Sequence, residues 1–169
     1  ATIADMNNDG RSDIYVSSWY NKKNVLYKGT ENNGFEVSQM NPNSYSESAT
    51  WGDYDNDGYV DLYVCNSGNN VSDNFNFLYK NNAGTLILQP NHIMVKETNF
   101  SRSATWIDYD NDGDIDLFIC NENQSKNDLF RNEGNGNFTK INSAGDLLTE
   151  ASGSMSASWA DVNHDGWTD

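Results

Sequence analysis

The sequence of 169 residues predicts an all-β protein built from repeated units, and three observations support this. First, an acidic pattern, Asp-x-Asp/Asn-x-Asp-Gly-x-x-Asp, begins at residues 5, 53, 108 and 161, at intervals of 48, 55 and 53 residues. Second, no segment carries apolar residues at positions i, i+3, i+4 and i+7 over the length of a helix. Third, Gly and Asn separate short apolar stretches while the chain has only 2 Pro, which is typical of strands joined by tight turns.

Four short strands are predicted in each unit, because their residues are β-branched, aromatic or alternating. Strand one enters the acidic loop at Ser48–Trp51, Ser103–Trp106 and Ser156–Trp159. Strand two leaves that loop at Ile14–Val16, Leu62–Val64 and Leu117–Ile119. Strand three covers Asn24–Lys28, Asn76–Lys80 and Asn127–Arg131. Strand four follows a Gly/Asn turn at Phe35–Val37, Leu86–Leu88 and Phe138–Ile141.

Four antiparallel strands in about 50 residues match the size of one β-propeller blade. We therefore predict a single repeat region, a partial β-propeller of about three four-stranded blades with metal-binding hairpin loops. The approximate blade units are 1–47, 48–102 and 103–155, and a further blade starts at 156–169. Propellers usually close with about four to eight blades. We expect the chain to be a fragment of a larger propeller, and the alternative is that several chains associate to complete one ring.

The net charge of −15 and the sequence pI near 4.2 exclude several classes of partner. Nucleic acid and anionic lipid both require clustered Lys and Arg, so neither is expected. Membrane insertion is not expected either, because no apolar run approaches the roughly 20 residues that span a bilayer. The chain does not open with a leader, so any signal peptide would lie outside this sequence.

The four acidic loops account for most of the charge, since their positions 1, 3, 5 and 9 hold 14 of the 25 acidic residues and leave 11 acids against 10 bases. Side chains at loop positions 1, 3 and 5 can turn toward one point, Gly at position 6 permits a sharp bend, position 7 offers a backbone carbonyl, and position 9 adds a carboxylate. Such oxygen-rich sets suit Ca²⁺ and disfavour zinc or copper, which prefer His and Cys. The predicted metal ligands are Asp5, Asn7, Asp9, Arg11 and Asp13 in loop one; Asp53, Asp55, Asp57, Tyr59 and Asp61 in loop two; Asp108, Asp110, Asp112, Asp114 and Asp116 in loop three; and Asp161, Asn163, Asp165, Trp167 and Asp169 in loop four.

Two other interpretations of these loops exist. First, the residues Asp-Asn-Asp-Gly favour a tight turn even without a bound metal. Second, an EF-hand would need Glu at position 12, whereas the first three loops have Val16, Val64 and Ile119 there. We therefore predict up to four calcium sites. The middle two should bind most strongly, because loops one and four carry Asn at position 3 and each lacks one full flanking strand; the outer two are expected to bind weakly, or to be empty or disordered.

The remaining reactive residues favour a non-catalytic protein. Cys65 and Cys120 occupy equivalent positions after strand two, and buried thiols are expected, with a disulfide as the alternative. The two histidines, His92 and His164, have no nucleophile in a recognisable arrangement.

The pattern Ala-Thr-Trp-x-Asp-Tyr-Asp-Asn-Asp-Gly-x-x-Asp-Leu, which includes Trp51 and Trp106, resembles FG-GAP/VCBS repeats, and most closely the ASPIC/UnbV or cartilage-acidic-protein-like group. This resemblance implies an integrin-α-like, calcium-stabilised β-propeller whose metal loops join strands one and two. It also implies an extracellular, cell-surface or periplasmic protein. The Phe-Gly and Gly-Ala-Pro sequences of the family name are absent, which favours the VCBS-like branch.

The predicted function is a non-catalytic adhesion or ligand-binding module for a protein or carbohydrate. The alternatives are a scaffold segment of a secreted polysaccharide-degrading enzyme and a purely structural spacer. Ligands are expected on the face opposite the metal loops, where Trp19 and Tyr20 could form an aromatic platform or could instead pack between blades. That face is predicted to comprise residues 17–23, 66–75 and 121–126 and the longer segments 41–48, 89–103 and 142–156.

Overall fold

Each predicted four-strand unit forms one antiparallel sheet in the computed structural model, which describes residues 1–68, 74–149 and 153–169. The first sheet contains β1 (Thr2–Ala4), β2 (Asp13–Val16), β3 (Lys22–Gly29) and β4 (Phe35–Ser44). The second contains β5 (Ser46–Gly52), β6 (Asp61–Asn66), β7 (Phe77–Asn82) and β8 (Thr85–Leu88). The third contains β9 (Ser101–Ile107), β10 (Asp116–Asn121), β11 (Asp128–Asn132) and β12 (Phe138–Ile141). Two short helical segments, a 3-10 turn at Ile93–Val95 and α1 at Asp146–Thr149, lie in connections.

The three sheets are arranged as successive blades. Strand β1 contacts β5, and β5 contacts β9, so the first strands of the three sheets lie side by side. Within each sheet the strands follow sequence order. The predicted partial propeller of three four-stranded antiparallel blades is therefore confirmed.

Aromatic side chains fill the space between neighbouring blades. Trp106 of the third blade stacks on Tyr54 of the second, with ring centroids 6.2 Å apart and planes inclined by 16°. Its ring also covers the backbone at Gly52, where a Cβ would lie only 2.6 Å from the indole. Glycine is required at this position because any side chain would push the blades apart.

Two local predictions were wrong. The strand predicted at Ser156–Trp159 does not form, because no second strand pairs with it among the described residues. The loop predicted at residues 41–48 is the other. Strand β4 continues to Ser44, and β5 begins at Ser46. The reason is the length of its partner β3, which keeps β4 paired as far as Lys22 opposite Ser44. In the same predicted face, residues 69–73 and 150–152 lie outside the described residues.

The two cysteines are free and buried, as expected for packed thiols. Cys65 packs in a core cluster with Tyr63 and Leu117, whereas Cys120 packs in a separate cluster with Phe118. The two thiols lie in different cores because they occupy equivalent positions of different blades, on strands β6 and β10. Within the described ranges, no helix has the length and apolar composition that crossing a bilayer requires.

Candidate metal centre

The acidic loops share one hydrogen-bonded scaffold, which loop two illustrates. The carboxylate of Asp53 at position 1 accepts from the amides of Asp57 at 3.0 Å and Gly58 at 2.9 Å. Asp57 at position 5 accepts from the amide of Tyr59 at 3.0 Å. Asp61 at position 9 accepts from the amide of Tyr54 at 3.1 Å, which closes the loop. Equivalent residues make the same bonds in the other three loops.

Two left-handed residues allow this scaffold to form. Gly58 at position 6 has a φ of 89°, and Asn56 at position 4 has a φ of 57°. Positive φ is readily adopted by Gly and tolerated by Asn, so the Asn-x-Gly spacing is a backbone requirement of the loop. The equivalent residues of the other loops, including His164 at position 4 of loop four, also have positive φ.

The loops of the second and third blades bring three carboxylates together. In loop two, single oxygens of Asp53, Asp55 and Asp61 all lie within 4.8 Å of one another. In loop three the same is true of oxygens from Asp108, Asp110 and Asp116. These are positions 1, 3 and 9 of the predicted ligand sets. Oxygen clusters of this size match the requirements of a hard divalent cation.

A buried side-chain oxygen at position 3 of the loops has the properties of a metal ligand. The Oδ1 atoms of Asp55 and Asp110 are buried without a hydrogen-bond partner among the described residues. Asn7 Oδ1 at the same position of loop one is in the same state. Because burying an unpaired polar oxygen is costly, this repeated arrangement fits a metal ligand and is not explained by turn chemistry alone.

The position-9 carboxylates of loops two and three, Asp61 and Asp116, have raised pKa values. Burial raises the pKa of Asp61 to about 7 and that of Asp116 to about 6, even though each accepts two backbone hydrogen bonds. The charges of Asp55 and Asp57 raise the pKa of Asp61 further. A divalent cation at the cluster would offset both burial and repulsion.

The remaining predicted ligands are placed differently. One oxygen of Asp57 and one of Asp112 are held by a position-7 amide, and neither residue belongs to the three-carboxylate clusters. The backbone carbonyls at position 7 stay predicted ligands: Arg11, Tyr59, Asp114 and Trp167.

The outer loops are formed rather than disordered, and their weaker binding stays a prediction. They differ from the middle loops at position 3, where the Asn side chain bonds within the loop. Asn7 Nδ2 donates to Asp9 Oδ2 at 2.7 Å, and Asn163 Oδ1 accepts from the amide of Asp165 at 2.8 Å.

Sequence reasoning missed residues that act on these loops from strand three. The ammonium of Lys80 contacts the carboxylate of Asp55 and lies 3.5 Å from Asp57 Oδ2. Asn81, the next residue, donates from its side chain to carbonyls of two different loops. The recurrence of Lys80-Asn81 as Arg131-Asn132 is the sequence pattern that could have identified them.

The opposite ends of the strands carry a polar cleft of about 270 Å³. The guanidinium of Arg102 bridges two blades, with Nη1 2.8 Å from Glu47 Oε2 and Nε 2.7 Å from Glu122 Oε2. Trp19 lines the same cleft and packs edge-on against Tyr45, while Tyr20 is 74% exposed. The cleft therefore lies on the predicted ligand face, and both aromatic residues predicted for that face retain exposed surface.

A comparison with known families agrees with this architecture. A family model described as FG-GAP-like repeat matches residues 5–64, 53–119 and 108–169, three overlapping matches that together cover nearly the whole chain. Each match runs from one acidic loop to the next loop or beyond it. No curated protein matches the chain.

Proposed function

The chain belongs to the FG-GAP-like repeat family, and from that premise we propose that it is a calcium-stabilised propeller segment acting as an extracellular adhesion or ligand-binding module. In this proposal the acidic loops bind Ca²⁺ and make the hairpins of each blade rigid. The opposite ends of the strands present a ligand face. The module itself is non-catalytic. The finer relation to the ASPIC/UnbV group stays an expectation.

The observation that carries the calcium proposal is the unpartnered position-3 oxygen inside each middle loop. Asp55 and Asp110 each direct a buried, unpaired oxygen beside two further carboxylates. Without a divalent cation, this arrangement combines desolvation with repulsion between like charges, which the ammonium of Lys80 offsets only in part and only in loop two. Only oxygen ligands are offered, so Ca²⁺ is favoured over softer metals.

Calcium stoichiometry tests this proposal. The expected dissociation constants for extracellular modules are about 10⁻⁴–10⁻³ M, so equilibrium dialysis at millimolar calcium is suitable. Asp57→Ala and Asp112→Ala should each lower the number of bound ions by one, because position 5 contributes a carboxylate. Asp146→Ala, which removes the same charge outside the loops, should leave the number unchanged. An unaltered count in both loop variants would overturn the assignment.

The ligand face supports the adhesion part of the proposal. Glu47 and Arg102 come from the first strands of two neighbouring blades, and their ion pair lines the cleft where those blades meet. A cleft with fixed charges and a neighbouring Trp suits a hydroxyl-rich or polar ligand. Binding to a panel of immobilised polysaccharides, with and without calcium, tests this idea. Binding that is lost in Trp19→Ala but retained in Trp167→Ala would support it, whereas equal binding by both variants would contradict it.

A further inference from the structure

Asn81 joins two successive acidic loops through one buried side chain. Its Nδ2 donates to the carbonyl of Met6 in loop one at 2.6 Å and to the carbonyl of Val60 in loop two at 2.8 Å. Its backbone amide donates to Asp61 Oδ1, at position 9 of loop two, at 2.7 Å. The residue is fully buried, so all three bonds are shielded from water.

Asn132 repeats this arrangement one blade further on. Its Nδ2 donates to the carbonyl of Tyr54 in loop two at 2.7 Å and to the carbonyl of Ile115 in loop three at 3.1 Å. Its amide donates to Asp116 Oδ1 at 2.7 Å. In the first blade the same strand position is Gly29, which keeps the amide bond to Asp13 but has no side chain to make a link.

A second set of links lies on the surface, at position 4 of loops one, two and three. Each of these asparagines has a left-handed backbone and directs its amide toward the next loop. The bonds are Asn8 Nδ2 to the Gly58 carbonyl at 2.9 Å, Asn56 Nδ2 to Asp114 Oδ1 at 2.7 Å, and Asn111 Nδ2 to the Gly166 carbonyl at 2.8 Å. Loops one and two, and loops two and three, are thus connected both in the core and at the surface.

These links have a consequence for metal binding, and it rests on the calcium function proposed above. A loop that tightens around a cation moves its position-2 and position-8 carbonyls, and the buried amide shared with its neighbour must follow or lose a hydrogen bond. Losing a buried hydrogen bond is costly, so the ordering of one loop favours the ordered form of the next. We propose that Asn81 and Asn132 are positioning residues that make adjacent loops bind calcium cooperatively.

The sign of the coupling distinguishes this proposal from simple proximity. Two cations in adjacent loops repel each other, so loops without a mechanical link should bind independently or with weak negative cooperativity. Positive cooperativity therefore requires the shared hydrogen bonds. Coupling of this kind is reciprocal and typically changes affinity by about fivefold or more.

The test is a double-mutant cycle in this chain, in which calcium titrations are monitored by NMR. The amides of Gly58 and Gly113 donate to the position-1 carboxylates of loops two and three, so their resonances report each loop separately. Asp57→Ala disables loop two and should weaken calcium binding at loop three by about fivefold or more. In the Asn132→Ala background, the same change should alter loop three by less than about twofold. The cycle cancels the loss of charge at Asp57 because both backgrounds share it.

Asn76→Ala is the matched control. Asn76 is a buried asparagine just before β7, at the end away from the loops, and it bonds to Tyr63 and Ser101. Its replacement should destabilise the fold to a similar degree while leaving the coupling intact. If Asn132→Ala does not fold, Asn56→Gly keeps the left-handed backbone, removes the surface link between the same two loops and should reduce the coupling.

The outcomes separate this inference from the proposed function. Absence of calcium binding at every loop would overturn both. If calcium binds normally but the affinity of loop three is unchanged by Asp57→Ala, only the coupling is overturned. Coupling that survives in both Asn132→Ala and Asn56→Gly would overturn the role assigned to these asparagines.

Discussion

Loops two and three carry the same four aspartates on the same scaffold, but the nearest cation is placed differently. In loop two the ammonium of Lys80 contacts Asp55 and lies 3.5 Å from Asp57 Oδ2. The equivalent cation beside loop three, Arg131, instead donates from Nε to Glu133 Oε1 at 2.9 Å. The second blade has Asn82 where the third has Glu133, so no carboxylate draws Lys80 away.

This difference shows that identical metal motifs can have different binding strengths. Loop two contains an internal counter-ion that calcium must displace, whereas Arg131 beside loop three is paired with Glu133. Burial and repulsion by Asp112 and Asp108 raise the pKa of Asp110, as expected for a carboxylate cluster that no cation contacts among the described residues. We therefore expect loop three to bind calcium more tightly than loop two.

The largest expected effect concerns the position-9 carboxylates of the metal-free protein. Burial raises the pKa of Asp61 to about 7 and that of Asp116 to about 6, above the value of about 3.9 in an unfolded chain. The folded state then binds these protons more tightly than the unfolded state, so protonation stabilises it at low pH. That stabilisation is lost as the pH rises through about 6 to 7. Because solvent screening reduces the effect of both shifts, the free energy of unfolding in EDTA should fall by on the order of 3 kcal/mol between pH 4.5 and pH 8.

Urea unfolding across this pH range checks the prediction, and carboxyl ¹³C NMR assigns it to the two loops. His92 acts in the opposite direction because burial lowers its pKa, so His92→Gln serves as a background that removes this contribution. Stability that is constant or increases with pH in that background would contradict the raised carboxyl pKa values.

The next effect in size concerns the counter-ion of loop two. Lys80→Met keeps the aliphatic part of the side chain and removes the ammonium from Asp55 and Asp57. Calcium affinity at loop two should rise by roughly tenfold, equivalent to about 1.4 kcal/mol, which would remove the difference from loop three. Titrations followed at the Gly58 amide would measure it. Lys22→Met, an equal charge change at the start of β3 in the first blade, should have little effect, and equal affinities in the two variants would contradict the counter-ion role.

The smallest effect concerns loop three. Glu133→Gln releases Arg131, which can then approach the carboxylates of loop three as Lys80 does in loop two. Because both side chains are 39% exposed and screened by solvent, the expected loss of calcium affinity is only about threefold. The Gly113 amide reports it, with Glu36→Gln as a control of equal charge. A loop-three affinity unchanged relative to that control would show that Arg131 does not compete with calcium.

The sequence by itself determined the repeated elements and the acidic loops. Strands two and three were correctly located in all three blades because alternating apolar residues and Gly/Asn turns act over a few residues. The loop scaffold was equally predictable, since its hydrogen bonds span only two to seven residues, as from Tyr59 to Asp57 and from Tyr54 to Asp61. Local chemistry is sufficient for structures that close within one hairpin.

Only the tertiary structure decided how the loops influence one another. The bonds from Asn81 to Met6 and from Asn132 to Tyr54 join residues 75 and 78 positions apart, and they exist because neighbouring blades pack in one register. The contact between Lys80 and Asp55 likewise joins residues 25 positions apart, and it depends on where strand three ends relative to the loop beside it. Such contacts follow from packing between distant segments, which the spacing of a motif does not encode.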